Sequence, residues 1–294
     1  MNPPRPCRAI AWLDSPEGEA WGSPESLALP LGDRGLLLAD GLFETLLVED
    51  GQPRLLEDHL ERWQRSAALL GMAPPPDRQR LLPLVQEAVK RSGINQGALR
   101  LNWSRGSGGR GLDLPEAGPG EAPPLPRIWL QLSAWQPDFQ PIGTIVSRWE
   151  RRNAASRLSR CKTFAYGGSI QARREAREAG AEDALLLSTT GELCCGTAAN
   201  LLVLCKGHWL TPPGASGCLP GVMRQRALNR GMTSEAAIST DTLARSEGAL
   251  LINSLSCRPI HRVDELPLPQ ITAATASELW RQLLSDSPAR RPDR

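Results

Sequence analysis

The chain has 294 residues, 40% of them hydrophobic and 22% charged, with a formal net charge of +2. It is long enough to bury two modest cores, and its near-balanced charge, with no basic run alternating with aromatics, argues against a nucleic-acid partner. No apolar stretch approaches the roughly 18 residues that a membrane span needs. The N-terminus "MNPPRPCRAI" lacks the apolar core of a secretory signal, so the protein is expected to stay in the cytoplasm. Seven cysteines at irregular spacing, without a CxxC, and three scattered histidines argue against a zinc site and a disulfide framework. Reduced thiols and no metal are expected.

In chain order, short strands are expected around 7–13, 43–49 and 98–104, with two helices between the later pair. "EDHLERWQRSAALLG" (57–71) sets Leu60, Trp63, Ala67 and Leu70 on one face of a helix that begins acidic and ends at Gly71. The next helix lies within 77–92, where Pro83 must start or kink it. The Pro/Gly-rich stretch "GLDLPEAGPGEAPPLPR" (111–127) reads as a linker. It divides the chain into a smaller domain over 1–118 and a larger one over 119–286, with a disordered tail over 287–294. Strands follow near 127–134 and 143–149, then a surface helix over 169–180. The short apolar strands "DALLLS", "ELCC", "NLLVLC" and "HWLT" come next, with turn signals between them. Helices are expected at 221–230, 241–246 and 270–284, with a strand at 249–253. Helices gathered around meandering strands in two unequal halves imply an α+β fold.

Only three lysines occur, Lys90, Lys162 and Lys206, the other 31 basic residues being arginine, and Tyr166 is the single tyrosine. In a chain so biased, a solvent-facing lysine could drift to arginine without penalty. A reacting amine could not, because a guanidinium stays protonated and cannot form an imine. In "SRCKTFAYGG" (159–168) the Tyr166 phenol, four residues beyond Lys162, falls within one helical turn of the amine or beside it in a turn. That spacing suits a phenol donating to an oxygen next to an imine. An ordinary surface lysine is the alternative on these residues alone.

The ordered segments "KTFAY", "ARREAREAGAEDALLLSTTG", "GTAANLLV", "TPP" and "GCLPGVMRQ" resemble the class IV aminotransferase family of pyridoxal-phosphate enzymes. The similarity spans roughly residues 30 to 263 and opens at "DRGLLLADGLFETLLVEDGQPRLLEDHLERW". It implies a two-domain fold type IV enzyme, like the D-amino-acid and branched-chain aminotransferases, with the cofactor in a cleft between domains. It implies pyridoxal 5'-phosphate as cofactor, a small-molecule substrate and a homodimer. Lys162 would carry the imine to the cofactor and shuttle the proton, and Tyr166 would sit by the cofactor's phenolic oxygen. Arg62 would bind its phosphate, together with the backbone N–H groups of Val222 and Met223 at a helix start and the hydroxyl of Ser254.

Within the family, "SRGSGGRG" (104–111), "GVMRQ" (221–225) and "AANL" (198–201) are similar to the aminodeoxychorismate lyase version. Arg105 and Arg110 would then meet the two carboxylates of aminodeoxychorismate. Read without the family, the glycine-rich stretch is a flexible connection, since no P-loop lysine or helix follows. Most of the family places a glutamate before this "GT", where it pairs with the cofactor's pyridine nitrogen; here that position is Cys195. The nearest acid, Glu192, lies three residues earlier and, in a regular strand, faces the opposite way. A thiol holds the pyridine proton poorly, which weakens the ring as an electron sink. Transamination should suffer more than a lyase step that gains an aromatic ring. Leu38 and Met223 stand where the family usually has tyrosine and threonine. The adjacent Cys194 and Cys195 are expected on opposite faces of a strand as buried thiols. An aminotransferase acting on D- or branched-chain amino acids, or a non-catalytic cofactor-binding protein, are the alternatives.

Overall fold

The computed structural model describes residues 9–15, 18–108, 111–114 and 125–285. The chain gathers into two compact units: residues up to Gln136 together with Cys161–Ala165, and Pro137–Arg160 together with Tyr166 onward. The expected division at 118/119 and the expected tail lie outside the described residues.

The first unit contains β1 (Ala9–Ser15), β2 (Gly18–Gly22), α1 (Arg34–Leu38), β3 (Gly41–Glu49) and β4 (Gln52–Pro53). After them come α2 (Leu56–Leu69), α3 (Arg78–Ser92), β5 (Gly97–Ser104) and β6 (Arg127–Ala134). The strands form one sheet in the order β2-β1-β6-β5-β3-β4. β6 lies between β1 and β5, which carries this unit past the boundary that the Pro/Gly-rich stretch implies. Strand alternation sorts the sheet into two faces. Trp12, Leu42, Leu46, Leu99, Leu101 and Leu130 turn to the side covered by α2 and α3, where Leu60, Trp63 and Val85 complete a buried core. Each large apolar side chain fully buried there contributes about 1.5–3 kcal/mol. Phe43, Thr45, Arg100, Asn102 and Trp129, paired across β3, β5 and β6, share the other face. α3 begins at Arg78, capped by the Asp77 carboxylate, so Pro83 lies inside it rather than at its start.

The second unit runs through β7 (Ile142–Arg152), α4 (Gly167–Glu178), β8 (Asp183–Ser188), β9 (Leu193–Gly196), β10 (Asn200–Cys205) and β11 (His208–Thr211). It continues with α5 (Val222–Asn229), β12 (Thr233–Glu235), α6 (Thr240–Ala244), β13 (Gly248–Asn253), β14 (Ser256–Val263), β15 (Leu266–Pro267) and α7 (Ala273–Leu284). The main sheet order is β12-β11-β10-β13-β14-β7-β8-β9, with β15 on β14, and β9 bridges back to β10. β7 is parallel to both β14 and β8, so this sheet is mixed rather than a simple meander. β14 is absent from the elements expected from sequence because Pro259 interrupts it. The proline is tolerated because pairing with β7 starts only at Ile260, where no N–H from position 259 is needed. Among the described residues, no helix is long and apolar enough to cross a membrane.

Candidate active site

Lys162 sits in an extended segment laid along the free edge of β3. Phe43 N–H donates to the Lys162 carbonyl at 2.9 Å, Phe164 N–H donates to the Gly41 carbonyl at 3.0 Å, and Leu42 bridges Thr163. Extended backbone, rather than a helical turn, therefore carries the residues after the lysine, and Tyr166 begins α4 as its N-cap. Gly41 is required for the lysine segment to dock: a Cβ there would fall 2.2 Å from the Phe164 ring. The pairing puts Lys162 on the Phe43 side of the strand, with its Nζ 4.3 Å from the Phe43 ring centroid. The Arg100 guanidinium lies 3.6 Å from the same ring. Arg100 was not singled out by sequence, where it reads as one charged residue in an alternating strand.

On the helix side of β3, Glu44 is 1% exposed between Leu42 and Leu46. Its carboxylate accepts from Arg62 Nε at 2.9 Å and from Arg62 Nη2, and His59 Nδ1–H donates to it at 2.7 Å. Burial pushes this carboxyl up, but the Arg62 charge and the His59 and Arg62 hydrogen bonds outweigh it and hold its pKa at about 2, below 4.5. Burial pushes the His59 pKa down against the pull of Glu44, and the Lys162 charge also acts on that ring. α2 thus has two buried stripes: the apolar one legible from its spacing, and a polar one of His59, Arg62 and Ser66. Of the second, sequence reasoning identified only Arg62.

Arg105 is not an open guanidinium. Its Nε donates to Asp40 at 2.9 Å, and its terminal nitrogens donate to the Gly71 and Leu70 carbonyls at 2.9 and 3.1 Å. With three of its five N–H groups so used, it ties β5 to the end of α2. Arg110 lies outside the described residues. Asp40 also receives Arg34 Nε at 2.9 Å, and Arg34 holds the Gly111 and Asp113 carbonyls.

In the second unit, Val222 and Met223 open α5. Its N-cap, Gly221, supplies no side chain, so no side-chain cap satisfies the first-turn N–H groups of Val222 and Met223. Asn200 donates to the Leu219 carbonyl at 2.9 Å, and a Cβ on Gly221 would fall 1.9 Å from its Oδ1. Asn200 in turn pairs with Cys195 across β9 and β10. Asn253, next to Ser254, donates to the Ala198 carbonyl at 3.2 Å. The turns at 196–200, 219–223 and 253–254 are thereby bound together. Arg173 on α4 adds a brace absent from the sequence reading: it donates to Thr197 Oγ1 at 3.0 Å and to Asp183 at 2.7 Å.

Cys195 is 7% exposed. β9 carries a bulge: Leu186 opposes Cys195 while Leu187 opposes Leu193, leaving Cys194 as the extra residue. The bulge overturns the expectation that the two cysteines face apart, since both join Cys218 in one buried cluster. Hydrogen bonding to Cys195 and Cys218, with burial, pushes the Cys194 thiol up. It also resets the alternation, so Glu192, opposite Ser188, shares the face of Cys195. The Thr190 hydroxyl holds the Glu192 carboxyl below the usual range.

The first-turn N–H groups of α5, which have no side-chain cap, suit an anion such as a phosphate; in the first unit, the half-buried Lys162 amine suits an aldehyde. The chain belongs to the class IV aminotransferase family, whose model matches residues 41–263. It is a class IV enzyme, and the family's cofactor is pyridoxal 5'-phosphate. A bifunctional aminodeoxychorismate lyase / D-amino acid transaminase of Mycobacterium tuberculosis is 29% identical over 265 residues, covering 82% of this chain and 88% of that protein. A solved fold IV transaminase from Curtobacterium pusillum has a TM-score of 0.78 at 28% identity, covering 95% of this chain and 100% of its own. A protein of Mycobacterium tuberculosis described as a hypothetical aminotransferase, solved in a PLP-bound form, has a TM-score of 0.78 at 25% identity, covering 94% of this chain and 98% of its own. Matching relatives carry the names of lyases, branched-chain-amino-acid aminotransferases and D-amino-acid transaminases.

The Gly221 contact gives a direct test. Gly221→Ala is expected to weaken PLP binding by about tenfold, or ~1.4 kcal/mol, with unchanged far-UV circular dichroism. Absorbance titration of the apoenzyme measures it, and an unchanged affinity would remove α5 from the phosphate site.

Proposed function

We propose that the chain is a 4-amino-4-deoxychorismate lyase, converting its substrate to 4-aminobenzoate and pyruvate. Lys162 is the catalytic amine, and Arg62, Val222, Met223 and Ser254 take the cofactor phosphate. Tyr166 lies by the cofactor's phenolic oxygen. Pyridoxal 5'-phosphate, when bound, supplies the electron sink for the substrate's amino-bearing carbon. Lys162 Nζ removes the proton from that carbon and returns one to the departing enolpyruvyl group, which leaves as pyruvate. Proton transfer by one positioned amine contributes about 10²–10⁴-fold. The atoms of the substrate divide between the two products, so neither water nor a second substrate is consumed. Arg100, whose Nε donates to Asn102 at 2.8 Å, lies beside Lys162 over the Phe43 ring and joins Arg105 as a candidate to receive a substrate carboxylate.

Cys195 is the observation that carries the lyase reading. It is a buried thiol at the position where the family usually holds a carboxylate against the pyridine nitrogen. The name of the Mycobacterium tuberculosis relative includes the same lyase activity. Cys195→Glu is expected to raise the rate at which an amino donor alone converts the cofactor to its amine form by about 10-fold or more, while slowing the lyase reaction. Single-turnover absorbance with D-alanine, set against 4-aminobenzoate release, measures both. Efficient transamination by the wild type with lyase activity untouched in the variant would contradict the reading.

A further inference from the structure

Residues 148–160 lie wholly within the second unit: the end of β7, a turn, and a single 3-10 turn over Arg157–Arg160. This arm contains five arginines and one acid, Glu150. It folds against the turn that leads into α5. Arg152 donates from Nε to the Gly217 carbonyl at 3.2 Å and from Nη2 to the Ser159 carbonyl at 2.8 Å. A Cβ on Gly217 would lie 3.0 Å from the Asn153 carbonyl oxygen and 3.1 Å from Ala154 Cα. The arm's turn therefore rests directly on Gly217, four residues before Gly221.

Arg152 is the strut of this arrangement. Arg148, Arg151, Arg157 and Arg160 are exposed, and none forms an ion pair among the described residues. Several arginines elsewhere on the surface are matched, as Arg174 is with Glu178, Arg91 with Glu87 and Arg78 with Glu57; Arg177 and Arg245 are exposed without an ion pair among the described residues but stand singly. Four unmatched cations are thus carried on the arm whose turn rests on Gly217, shortly before α5.

We infer that this arm collects small, multiply charged anions: its charge speeds the arrival of phosphate- and carboxylate-bearing ligands at the α5 end without bonding them once bound. A cluster of one sign raises the local concentration of counter-ions and with it the association rate. At physiological ionic strength the field reaches about 8 Å before it is screened, which makes the effect salt-dependent. Neutralising such rim charges changes the association rate and its salt dependence rather than dissociation. The inference rests on the family's cofactor and not on the lyase reading, so either can fail alone.

The test is stopped-flow binding of PLP to the apoenzyme across ionic strengths, with pyridoxal, which lacks the phosphate, as the second probe. The wild-type PLP association rate should fall as salt rises. In Arg151→Gln/Arg157→Gln/Arg160→Gln it should drop by about 10-fold at low salt, with a flattened salt slope. Pyridoxal association and PLP dissociation should not change. Each single variant should show a loss of about 2-fold, which keeps the test decisive if the triple variant folds poorly. Equal slowing of PLP and pyridoxal would assign the arm a structural role and overturn the inference. Unchanged PLP kinetics would also overturn it, leaving the arm, with Trp149 81% exposed, as a contact surface for another protein.

Discussion

Lys162→Ala is expected to lower turnover by at least about 10³-fold and to abolish the borohydride-fixable yellow adduct of the purified protein. Both losses follow from one group, because the amine that links to the cofactor is also the base. Lys162→Arg should do no better. A guanidinium of similar length remains protonated at any pH the protein survives, so it can neither attack an aldehyde nor accept a proton. The lysine segment is held mainly by backbone pairing to Gly41 and Phe43. Fold and stability should therefore survive the alanine substitution, and PLP should still bind, reversibly and more weakly, through its phosphate. Peptide mapping after borohydride reduction gives the check; a labelled peptide other than the one holding residue 162 would contradict the assignment.

Glu44→Gln is expected to produce the largest stability loss of any single substitution near the site. It removes the carboxylate that neutralises a buried Arg62, and breaking a buried pair in this way costs about 3–5 kcal/mol. The pH dependence gives this prediction a sign. Glu44 has a folded pKa of about 2 against an unfolded value near 4.5. Its charged form therefore contributes roughly 3 kcal/mol that is fully present above pH 4.5 and is lost as pH falls toward 2. His59 works in the same direction from higher up: its pKa is lowered in the fold, so acidification below about 6.5 favours the unfolded, protonated ring. Urea unfolding of wild type and Glu44→Gln should show a wide gap at pH 7 that narrows between pH 4.5 and 2. A gap independent of pH would mean that the Glu44 charge is not what holds Arg62.

What could be read in the sequence was whatever repeats locally. The apolar spacing of Leu60, Trp63 and Ala67 placed α2, and the ordered motifs around the lysine and the one tyrosine pointed to the family. Polar groups buried by distant partners were not legible. His59 and Glu44 are 15 residues apart, and in sequence they read separately, as one of three scattered histidines and as a residue within an expected strand. The ion pair of Arg105 with Asp40, 65 positions away, gave no local sign. The bulge at Cys194 was hidden for another reason: two identical residues in succession give no alternation from which a slip of one position could be detected. Pro259 concealed β14 because a proline in a central strand is tolerated only where a neighbouring strand has ended, and that is a fact of pairing rather than of composition.

The most direct measurement is incubation of the purified holoenzyme with enzymatically made aminodeoxychorismate and no amino acceptor. Equal amounts of 4-aminobenzoate and pyruvate should appear, and none with Lys162→Ala. No 4-aminobenzoate from the wild type, together with ready conversion of the cofactor to its amine form by an amino acid alone, would make the protein an aminotransferase instead.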